Sequence, residues 1–373
     1  MQAEPFIKTE KMSKKYKILI SGGGTGGHIF PAIAIANEIK AQFPDSDIEF
    51  VGAKGRMEME KVPAAGYKIY GLWISGLQRS LTPKNLILPF KVLSSLWHSR
   101  KIIKSFKPDF TIGVGGYASG PLNFVASKMG IPVFLQEQNS FPGITNKLLK
   151  NAAKKICVAY DGMERFFPKG KIVLTGNPIR QDILSSSVSS VDARNHFGLD
   201  VSKKTVLVVG GSLGARTINE AIEANLSVFE KNNIQLLWQT GKNFAGEYGE
   251  YNWGVRVPFI REMDLAYGAS NLVVSRAGAM SVSELSALGK PTIFIPSPFV
   301  AEDHQTKNAM SLVSKEAAVL CKDIEAETHI GKQVLELMSN QDKLELLGRK
   351  IKALGLPDAA KSIVKEIVRS IEK

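Results

Sequence analysis

Two stretches of the sequence decide the fold: KILISGGGTGGH at Lys17–His28 and TVLVVGGSLGA at Thr205–Ala215. Each joins a short apolar run to a glycine-rich turn and leads into a segment of helical period. Other short apolar runs alternate with helical segments along both halves, at Ile48–Val51, Phe110–Val114, Val133–Leu135, Ile156–Ala159, Gln235–Trp238, Leu272–Val274 and Thr292–Ile295. This alternation predicts parallel sheets covered by helices on both faces.

The length of 373 residues suggests two domains, at roughly 150 residues each. Because both halves open alike, we predict two doubly wound domains, over residues 1–179 and 180–356. The boundary falls in the turn-forming cluster Thr175–Pro178, which follows the short apolar run Ile172–Leu174. Ala359–Lys373 has the pattern of an amphipathic helix after Pro357.

Composition excludes several classes of protein. The chain is 44% hydrophobic and 22% charged, which is typical of a soluble globular protein and excludes wholesale disorder or a fibre. It has no run of 18 apolar residues, so no spanning helix is expected. Its two cysteines exclude a disulfide scaffold and a zinc cluster and are typical of a reducing compartment. The first 17 residues lack the apolar core of a secretory signal, and we expect a loose leader there.

The positive charge lies in the first half. Residues 1–180 hold 26 lysine and arginine residues against 12 acidic ones, whereas residues 181–373 hold 22 against 23. Such one-sidedness favours an anionic partner for the first half: a nucleic acid, an anionic membrane or a phosphorylated substrate.

The first glycine loop fits G-x-G-x-x-G at Gly22, Gly24 and Gly27. Glycines let a backbone approach a phosphate, and a helix N-terminus offers free N–H groups. An NADP-dependent oxidoreductase is one alternative, since no acid follows IEFVG directly and Lys54 and Arg56 could bind a 2′-phosphate. A tight turn without a ligand is another.

His28 follows this loop at the start of the expected helix. A helix N-terminus disfavours imidazolium, so we expect a neutral imidazole that can accept a proton from a hydroxyl. A capping or packing histidine is the ordinary alternative.

Seven strings, in order, resemble those of the MurG family of glycosyltransferases. They are GGGTGGHIFPAIAIA (22–36), GVGGYASGP (113–121), EQNSFPG (137–143), TGNPIR (175–180), GGSLGARTIN (210–219), SRAGAMSVSE (275–284) and DHQTKNA (303–309). The family transfers N-acetylglucosamine (GlcNAc) from UDP-GlcNAc to undecaprenyl-pyrophosphoryl-N-acetylmuramyl-pentapeptide, turning lipid I into lipid II in peptidoglycan synthesis. The resemblance implies the GT-B fold, in which two Rossmann-like α/β domains face a cleft, with a C-terminal helix at 357–373 returning to the first domain. A GT-B enzyme acting on another lipid acceptor is an alternative.

The resemblance implies an inverting transferase whose second domain binds UDP-GlcNAc. Glu284 matches a glutamate that accepts hydrogen bonds from the ribose diol, and Ile260 lies in the segment whose backbone pairs with uracil. Gln305, and less surely Asn308, match residues that hold sugar hydroxyls. The full set of expected donor contacts is Thr25, Gly26, Gly27, Asn139, Arg180, Ser212, Ile260, Ala279, Met280, Ser281, Val282, Ser283, Glu284 and Gln305. The ordinary alternatives are a solvated glutamate, a surface glutamine and, for Arg180, a linker salt bridge.

The catalytic base is expected to be His28, with Glu137 as its rival. The family commonly has His-Glu-Gln-Asn where this chain begins with Gln136, which can form hydrogen bonds but cannot titrate. The acceptor is expected at Gly115, Gly116, Tyr117 and Asn219. No metal and no cofactor are expected, because the single D-x-D string, Asp45–Asp47, precedes a strand and suits a turn.

A basic, apolar segment spans residues 73–107, with seven basic residues and no acid. It suits an anionic membrane surface, and we expect Leu72–Leu77 and Leu86–Phe90 to meet lipid while the remaining helix packs on the sheet. The resemblance places the protein peripherally on the cytoplasmic face of the cell membrane and implies roles in cell shape and division, with cell-wall and division proteins as further partners. Nucleic-acid binding is the weakest alternative, because no recognisable module accompanies the charge.

Overall fold

The computed structural model describes residues 14–76 and 87–372. Within them the chain forms two compact units. The first comprises residues 14–136 (without 77–86), 144–156 and 363–372, and the second comprises 137–143 and 157–362. Residues 157–179 therefore belong to the second unit, although the sequence analysis assigns them to the first domain. The domain bounds themselves stay a prediction.

The first sheet has seven strands, and its central strands are buried. Its members are β1 (Lys17–Ser21), β2 (Asp47–Ala53), β3 (Lys68–Leu72), β4 (Phe110–Gly113), β5 (Val133–Glu137), β6 (Lys155–Val158) and β7 (Ile172–Leu174). They lie in the order β3-β2-β1-β4-β5-β6-β7. β1 pairs in parallel with β2 and β4, and its side chains Ile18, Leu19 and Ile20 are fully buried. Apolar runs without alternation are what a parallel strand covered on both faces requires.

The helices of the first half connect these strands. They are α1 (Gly26–Gln42), α2 (Glu58–Ala64), α3 (Leu88–Phe106), α4 (Ser119–Lys128) and α5 (Ile144–Leu149). The C-terminal helix α15 (Ala359–Ile371) forms as predicted, and its residues from Ile363 onward belong to the first unit.

The second sheet repeats the design with one difference. Its strands are β8 (Lys204–Val209), β9 (Ile234–Gln239), β10 (Gly249–Tyr251), β11 (Gly254–Val257), β12 (Leu272–Ser275), β13 (Thr292–Phe294) and β14 (Val319–Leu320), in the order β10-β11-β9-β8-β12-β13-β14. The expectation of an all-parallel sheet is wrong at one edge, where β10 pairs antiparallel with β11. Only two residues, Asn252 and Trp253, separate these strands, and a connection this short can join only antiparallel neighbours.

The helices of the second half are α6 (Gln181–Ser185), α7 (Ser190–His196), α8 (Arg216–Ala224), α9 (Leu226–Lys231), α10 (Met263–Ala269), α11 (Ala279–Leu288), α12 (His304–Val313), α13 (Ala326–Met338) and α14 (Gln341–Ala353). They cover both faces of the second sheet and form two cores, one around Leu207 and Val273 and the other around Val206 and Trp238. In the part of the chain that the structure describes, every helix is too short or too polar to cross a membrane.

Candidate functional site

The glycine loop after β1 ends at the N-terminus of α1. Gly24 has a φ of +87°, a conformation that favours glycine. Thr25 is the N-cap residue in an extended conformation, and Gly26, Gly27 and His28 form the first turn. The Thr25 Oγ1 and His28 Nδ1 atoms lie 3.1 Å apart, and the histidine is half-buried. The hydroxyl therefore orients the imidazole.

A second glycine loop, after β4, packs directly on the first. Gly115 and Gly116 have φ angles of +90° and +84°, and a Cβ atom at Gly116 would overlap the carbonyl oxygen of Gly23. Tyr117 is exposed, with its ring against the backbone of Gly76. The structure thus brings the two predicted loops of the first unit together.

A buried acid, Glu58, also meets the first loop. Its Oε2 accepts a hydrogen bond from Gly24 N and its Oε1 accepts one from Ala53 N, both at 2.9 Å. Sequence reasoning missed this residue, because it considered only the positions directly after β2.

In the second unit, the carboxyl ends of the neighbouring strands β9, β8 and β12 meet at one edge of the sheet, where α/β folds bind ligands. Gln239, at the end of β9, is buried and links two predicted segments. Its Nε2 donates to Gly211 O at 3.1 Å, and its Oε1 accepts from Ile260 N at 2.9 Å. Ser212 follows Gly211 in the exposed loop after β8. The Ile260 N–H group is therefore already in use. A uracil ring that pairs with the Ile260 backbone would have to displace Gln239 or bind the Ile260 carbonyl oxygen.

Glu284 lies on α11 beside a buried phenol and a guanidinium. Tyr267 donates its hydroxyl proton to Glu284 Oε2 at 3.0 Å. Burial raises the pKa of the Glu284 carboxyl to about 7, although the hydrogen bond from Tyr267 and the charge of Arg180 both lower it. Burial and the nearby Glu284 raise the pKa of Tyr267 well above its usual value, so the phenol remains a donor. Arg180 pairs with Asp182 at 3.0 Å, and its buried Nε has no hydrogen-bond partner among the described residues.

The other predicted residues of α11 divide between its N-terminus and the core. No described side chain caps the helix at Gly278, so its first N–H groups point beyond Ala279, Met280 and Ser281. Val282 belongs to the hydrophobic core, and only its backbone could meet a ligand. The Ser283 hydroxyl accepts a hydrogen bond from Asn177 Nδ2 at 2.9 Å. The Val282 side chain and the Ser283 hydroxyl thus have partners inside the fold, and the predicted contacts of these two residues with UDP-GlcNAc stay predictions.

Asn308 organises the loop that carries Glu137 and Asn139. Its Oδ1 accepts from Ser140 N and Oγ at 3.0 Å, and its Nδ2 donates to Asn139 Oδ1 at 3.2 Å. The Glu137 carboxylate accepts from Asn139 N at 3.0 Å and from Gly143 N at 3.1 Å. The side chains of Asn308 and Glu137 therefore both fix the conformation of this loop. One turn of α12 earlier, the Oε1 of Gln305 accepts from Ser297 N at 2.9 Å.

Comparison with known proteins identifies the family. The family model "Glycosyltransferase family 28 N-terminal domain" matches residues 18–158, and "Glycosyltransferase family 28 C-terminal domain" matches 205–363. The chain is 54% identical over 360 residues to the UDP-N-acetylglucosamine--N-acetylmuramyl-(pentapeptide) pyrophosphoryl-undecaprenol N-acetylglucosamine transferase of Cytophaga hutchinsonii, covering 96% of this chain and 98% of that protein. The protein of the same name from Flavobacterium psychrophilum is 52% identical, with 96% and 99% covered. The crystal structure of Acinetobacter baumannii MurG superposes with a TM-score of 0.76 at 28% identity, covering 95% of this chain and 100% of that one.

The chain belongs to the MurG family of glycosyltransferases. The predicted fold class, GT-B with two Rossmann-like α/β domains, is confirmed. Membership in this family argues against the NADP-dependent oxidoreductase as the interpretation of the first glycine loop.

Asn219, which the resemblance assigns to the acceptor, lies inside the fold. It is 6% exposed on α8, its Nδ2 donates to Thr240 O at 2.9 Å, and its Oδ1 accepts from Trp238 Nε1 at 3.2 Å. Both ends of the amide are used within the fold, where Asn219 supports the sheet, and its contact with the acceptor stays a prediction.

Across residues 14–76 and 87–372, no group of three or more His, Cys, Asp or Glu side chains is placed to hold a metal ion. The D-x-D string lies as predicted, with Asp45 in a turn and Asp47 opening β2.

An apolar surface lies on α3, and its extent differs from the expectation. Leu72 is 1% exposed and cannot meet lipid, whereas Phe90, Leu93 and Trp97 are 67%, 64% and 62% exposed. The buried side of α3 carries the small residues Ser95 and Ser99 and the side chain of Ile103, so the large apolar side chains turn outward. Leu77, Arg79, Lys84 and Leu86 lie outside the described residues.

Proposed function

We propose that the chain transfers GlcNAc from UDP-GlcNAc to the C4 hydroxyl of the N-acetylmuramyl residue of undecaprenyl-pyrophosphoryl-N-acetylmuramyl-pentapeptide, with inversion at the anomeric carbon. The observation that carries this proposal is the shared name of relatives that are more than 50% identical over nearly the whole chain. The named reaction needs a nucleotide-sugar site, a base and access to a lipid, and the described residues offer candidates for each.

The second unit is the proposed donor site. The carboxylate of Glu284, ionised when it accepts two hydroxyl donors, would bind the ribose diol, and Tyr267 holds it in place. The uncapped N-terminus of α11 would face the diphosphate, and its dipole stabilises the charge that develops on departing UDP. Arg180 adds a fixed positive charge and a buried donor beside Glu284. Gln305 and the backbone at Ser212 complete the expected contacts with sugar and phosphate.

The first unit is the proposed acceptor site, and His28 is the proposed base. The imidazole accepts the proton of the C4 hydroxyl, the hydroxyl oxygen bonds to the anomeric carbon, and the bond from that carbon to the UDP oxygen breaks. If Nδ1–H donates to Thr25 Oγ1, Nε2 is the nitrogen that accepts the proton. Loops 22–27 and 115–117 supply backbone N–H groups for the acceptor pyrophosphate.

Glu137 is the weaker candidate for the base. Each of its carboxylate oxygens accepts a backbone N–H from its own loop, so its role is to keep that loop in shape. Proton transfer to Glu137 would weaken these hydrogen bonds.

We also propose that α3 rests on the cytoplasmic face of an anionic membrane. Its outward side chains Phe90, Leu93 and Trp97 would enter the headgroup region, and Lys91, Arg100, Lys101 and Lys104 lie on the same helix. Lys101 Nζ lies 5.8 Å from the centre of the Trp97 ring, and Lys128 Nζ lies 5.7 Å from that of Phe124 on the neighbouring helix α4. Paired aromatic and basic side chains suit the boundary between apolar chains and phosphate headgroups.

A transfer assay tests the reaction. Purified protein, labelled UDP-GlcNAc and a short-chain lipid I analogue should give a labelled disaccharide lipid and one UDP per transfer. Glu284→Gln should raise the KM for UDP-GlcNAc by roughly 10- to 100-fold, the loss expected for a charged hydrogen bond. The exposed Glu230→Gln is the matched control. Binding of UDP-GlcNAc without transfer to lipid I would contradict the acceptor assignment.

Vesicle cosedimentation tests the membrane surface. Binding to phosphatidylglycerol vesicles should exceed binding to phosphatidylcholine vesicles and fall with added salt. Trp97→Ser should weaken binding, whereas Phe299→Ser should not, although Phe299 in the second unit is 86% exposed. Equal effects of the two substitutions would contradict a surface centred on α3.

A further inference from the structure

The glycine loop after β1 contains an anion supplied by the protein itself. Glu58, the first residue of α2, is fully buried. Its carboxylate bridges two backbone amides, Gly24 N in the loop and Ala53 N at the end of β2, at 2.9 Å each. These two amides are separated by 29 positions in the sequence, so the side chain ties the first loop to the second strand.

The surrounding backbone leaves room for this carboxylate and for little else. A Cβ atom on Gly23 would overlap Glu58 Oε1, and a Cβ atom on Gly52 would lie 2.5 Å from Glu58 Cγ. Two glycines, one on each side, therefore create the space that the acid fills. The Glu58 side chain is packed so closely against Gly23 and Gly52 that neither position has space for a larger residue.

The buried carboxyl group of Glu58 lies beside the start of a helix. Glu58 opens α2, and Gly24 directly precedes Thr25, the N-cap of the 17-residue helix α1. The carboxylate thus accepts a hydrogen bond from the residue that leads into α1, and the N-terminal end of this helix carries partial positive charge. In dinucleotide-binding folds a ligand phosphate takes this place.

We propose that Glu58 is a positioning residue for the transfer reaction: it occupies the anion position of the glycine loop and thereby fixes the loop that presents Thr25 and His28. This inference rests on the proposed function. Without the carboxylate, the Gly24 amide loses its acceptor, and a run of three glycines that begins at Gly22 has much conformational freedom to lose when it closes on substrate. The acceptor pyrophosphate is then bound by the remaining amides of the two loops and not by Gly24 N.

The test compares Glu58→Gln with Glu60→Gln. Both substitutions lie on α2, but Glu60 is exposed and pairs only with Lys61 among the described residues. In Glu58→Gln one carboxylate oxygen becomes an NH2 group that faces a backbone N–H. We expect kcat for transfer to fall roughly 10- to 100-fold, with an unchanged Kd for UDP and unchanged kinetics in Glu60→Gln.

A second variant displaces the carboxylate without removing it. Gly23→Ala puts a methyl group where Oε1 lies, and it should reproduce the loss of kcat with UDP binding intact. A merely structural role predicts a different result, in which melting temperature falls but the folded fraction keeps its kcat. That result, or a parallel loss of UDP affinity, would overturn the proposal.

Hydrogen exchange separates this inference from the proposed function. The Gly24 amide should be protected in the unsubstituted chain and in Glu60→Gln and should exchange at least 10-fold faster in Glu58→Gln. If the unsubstituted chain failed to transfer GlcNAc, the proposed function would be wrong, and this exchange result would still decide whether Glu58 holds the loop. Equal exchange in all three proteins would overturn the positioning role.

Discussion

Glu284 is expected to lower the free energy of unfolding of the protein at neutral and alkaline pH. Its carboxyl has a pKa of about 7 in the folded protein, raised from 4.5 chiefly by burial. Between these two pH values the folded protein holds a proton that the unfolded chain has released. Stability therefore falls as pH rises through this window.

The magnitude follows from the two pKa values. At 1.36 kcal/mol for each pKa unit, the full change amounts to at most about 3.4 kcal/mol, and partial exposure of Glu284 reduces it. Glu284→Gln keeps the shape and can still accept the hydrogen bond from Tyr267, but it carries no charge to bury. The variant should therefore gain stability relative to the parent as pH rises, by roughly 1 to 3 kcal/mol between pH 4.5 and pH 8.

Chemical denaturation of the second unit at pH 5, 6, 7 and 8 measures this gain. UDP binding by calorimetry at the same pH values gives the functional side: affinity of the unsubstituted chain should rise with pH through about 7 as the carboxylate ionises, and Glu284→Gln should lack this rise. The exposed Glu230→Gln should show neither effect. A stability difference between parent and Glu284→Gln that does not change with pH would contradict a raised pKa at Glu284.

Three other predictions concern separate parts of the fold. Gly116→Ala should lower the rate of transfer more than 10-fold with UDP affinity unchanged, because the new Cβ atom overlaps the Gly23 carbonyl oxygen. Gly130→Ala is the control, since Gly130 also has a positive φ but open space around its Cβ position. Equal transfer rates in the two variants would contradict the overlap as the cause. Asn308→Ala should lower the free energy of unfolding of the second unit by roughly 2 to 4 kcal/mol, because the hydrogen bonds from Ser140 to the Asn308 side chain are lost. Amide hydrogen exchange in the loop after β5 should become faster. Unchanged exchange in that loop would contradict the role of Asn308 in holding it. Lys290→Met should stabilise the second unit at pH 7 by roughly 1 to 2 kcal/mol, and the gain should shrink as pH rises from 8 to 10.5, because burial lowers the pKa of Lys290 to about 8; a gain independent of pH would contradict this cause.

The central strands could be predicted from sequence, whereas most edge strands could not. β1, β8 and β12 are continuous apolar runs, the pattern of a parallel strand covered on both faces. β3 and β10 lie at sheet edges, where one side of the strand lacks a neighbour and the sequence needs no apolar run. The hairpin of β10 and β11 depends on packing that no local pattern shows.

The sequence motifs predicted most residues of the candidate site, but they did not predict the residues whose hydrogen bonds keep the site residues in place. Glu58, Gln239 and Tyr267 each support a predicted residue from a distant part of the chain, and neither spacing nor composition reveals such contacts. The exposed face of α3 was not predicted for another reason. Helical periodicity shows that a helix has two faces, but it does not show which of them is buried. The small residues Ser95 and Ser99, four positions apart, were the available signal for the buried face.

The most direct test of the account is a single-turnover transfer measurement on His28→Ala with saturating UDP-GlcNAc and lipid I analogue. We predict a rate at least roughly 100-fold below that of the unsubstituted chain, as expected for loss of a general base, with the Kd for UDP unchanged. Glu137→Gln should affect the rate only to the extent that its loop loses order. A His28→Ala protein that transfers at the original rate would contradict the assignment of the base and of the first unit as the acceptor site.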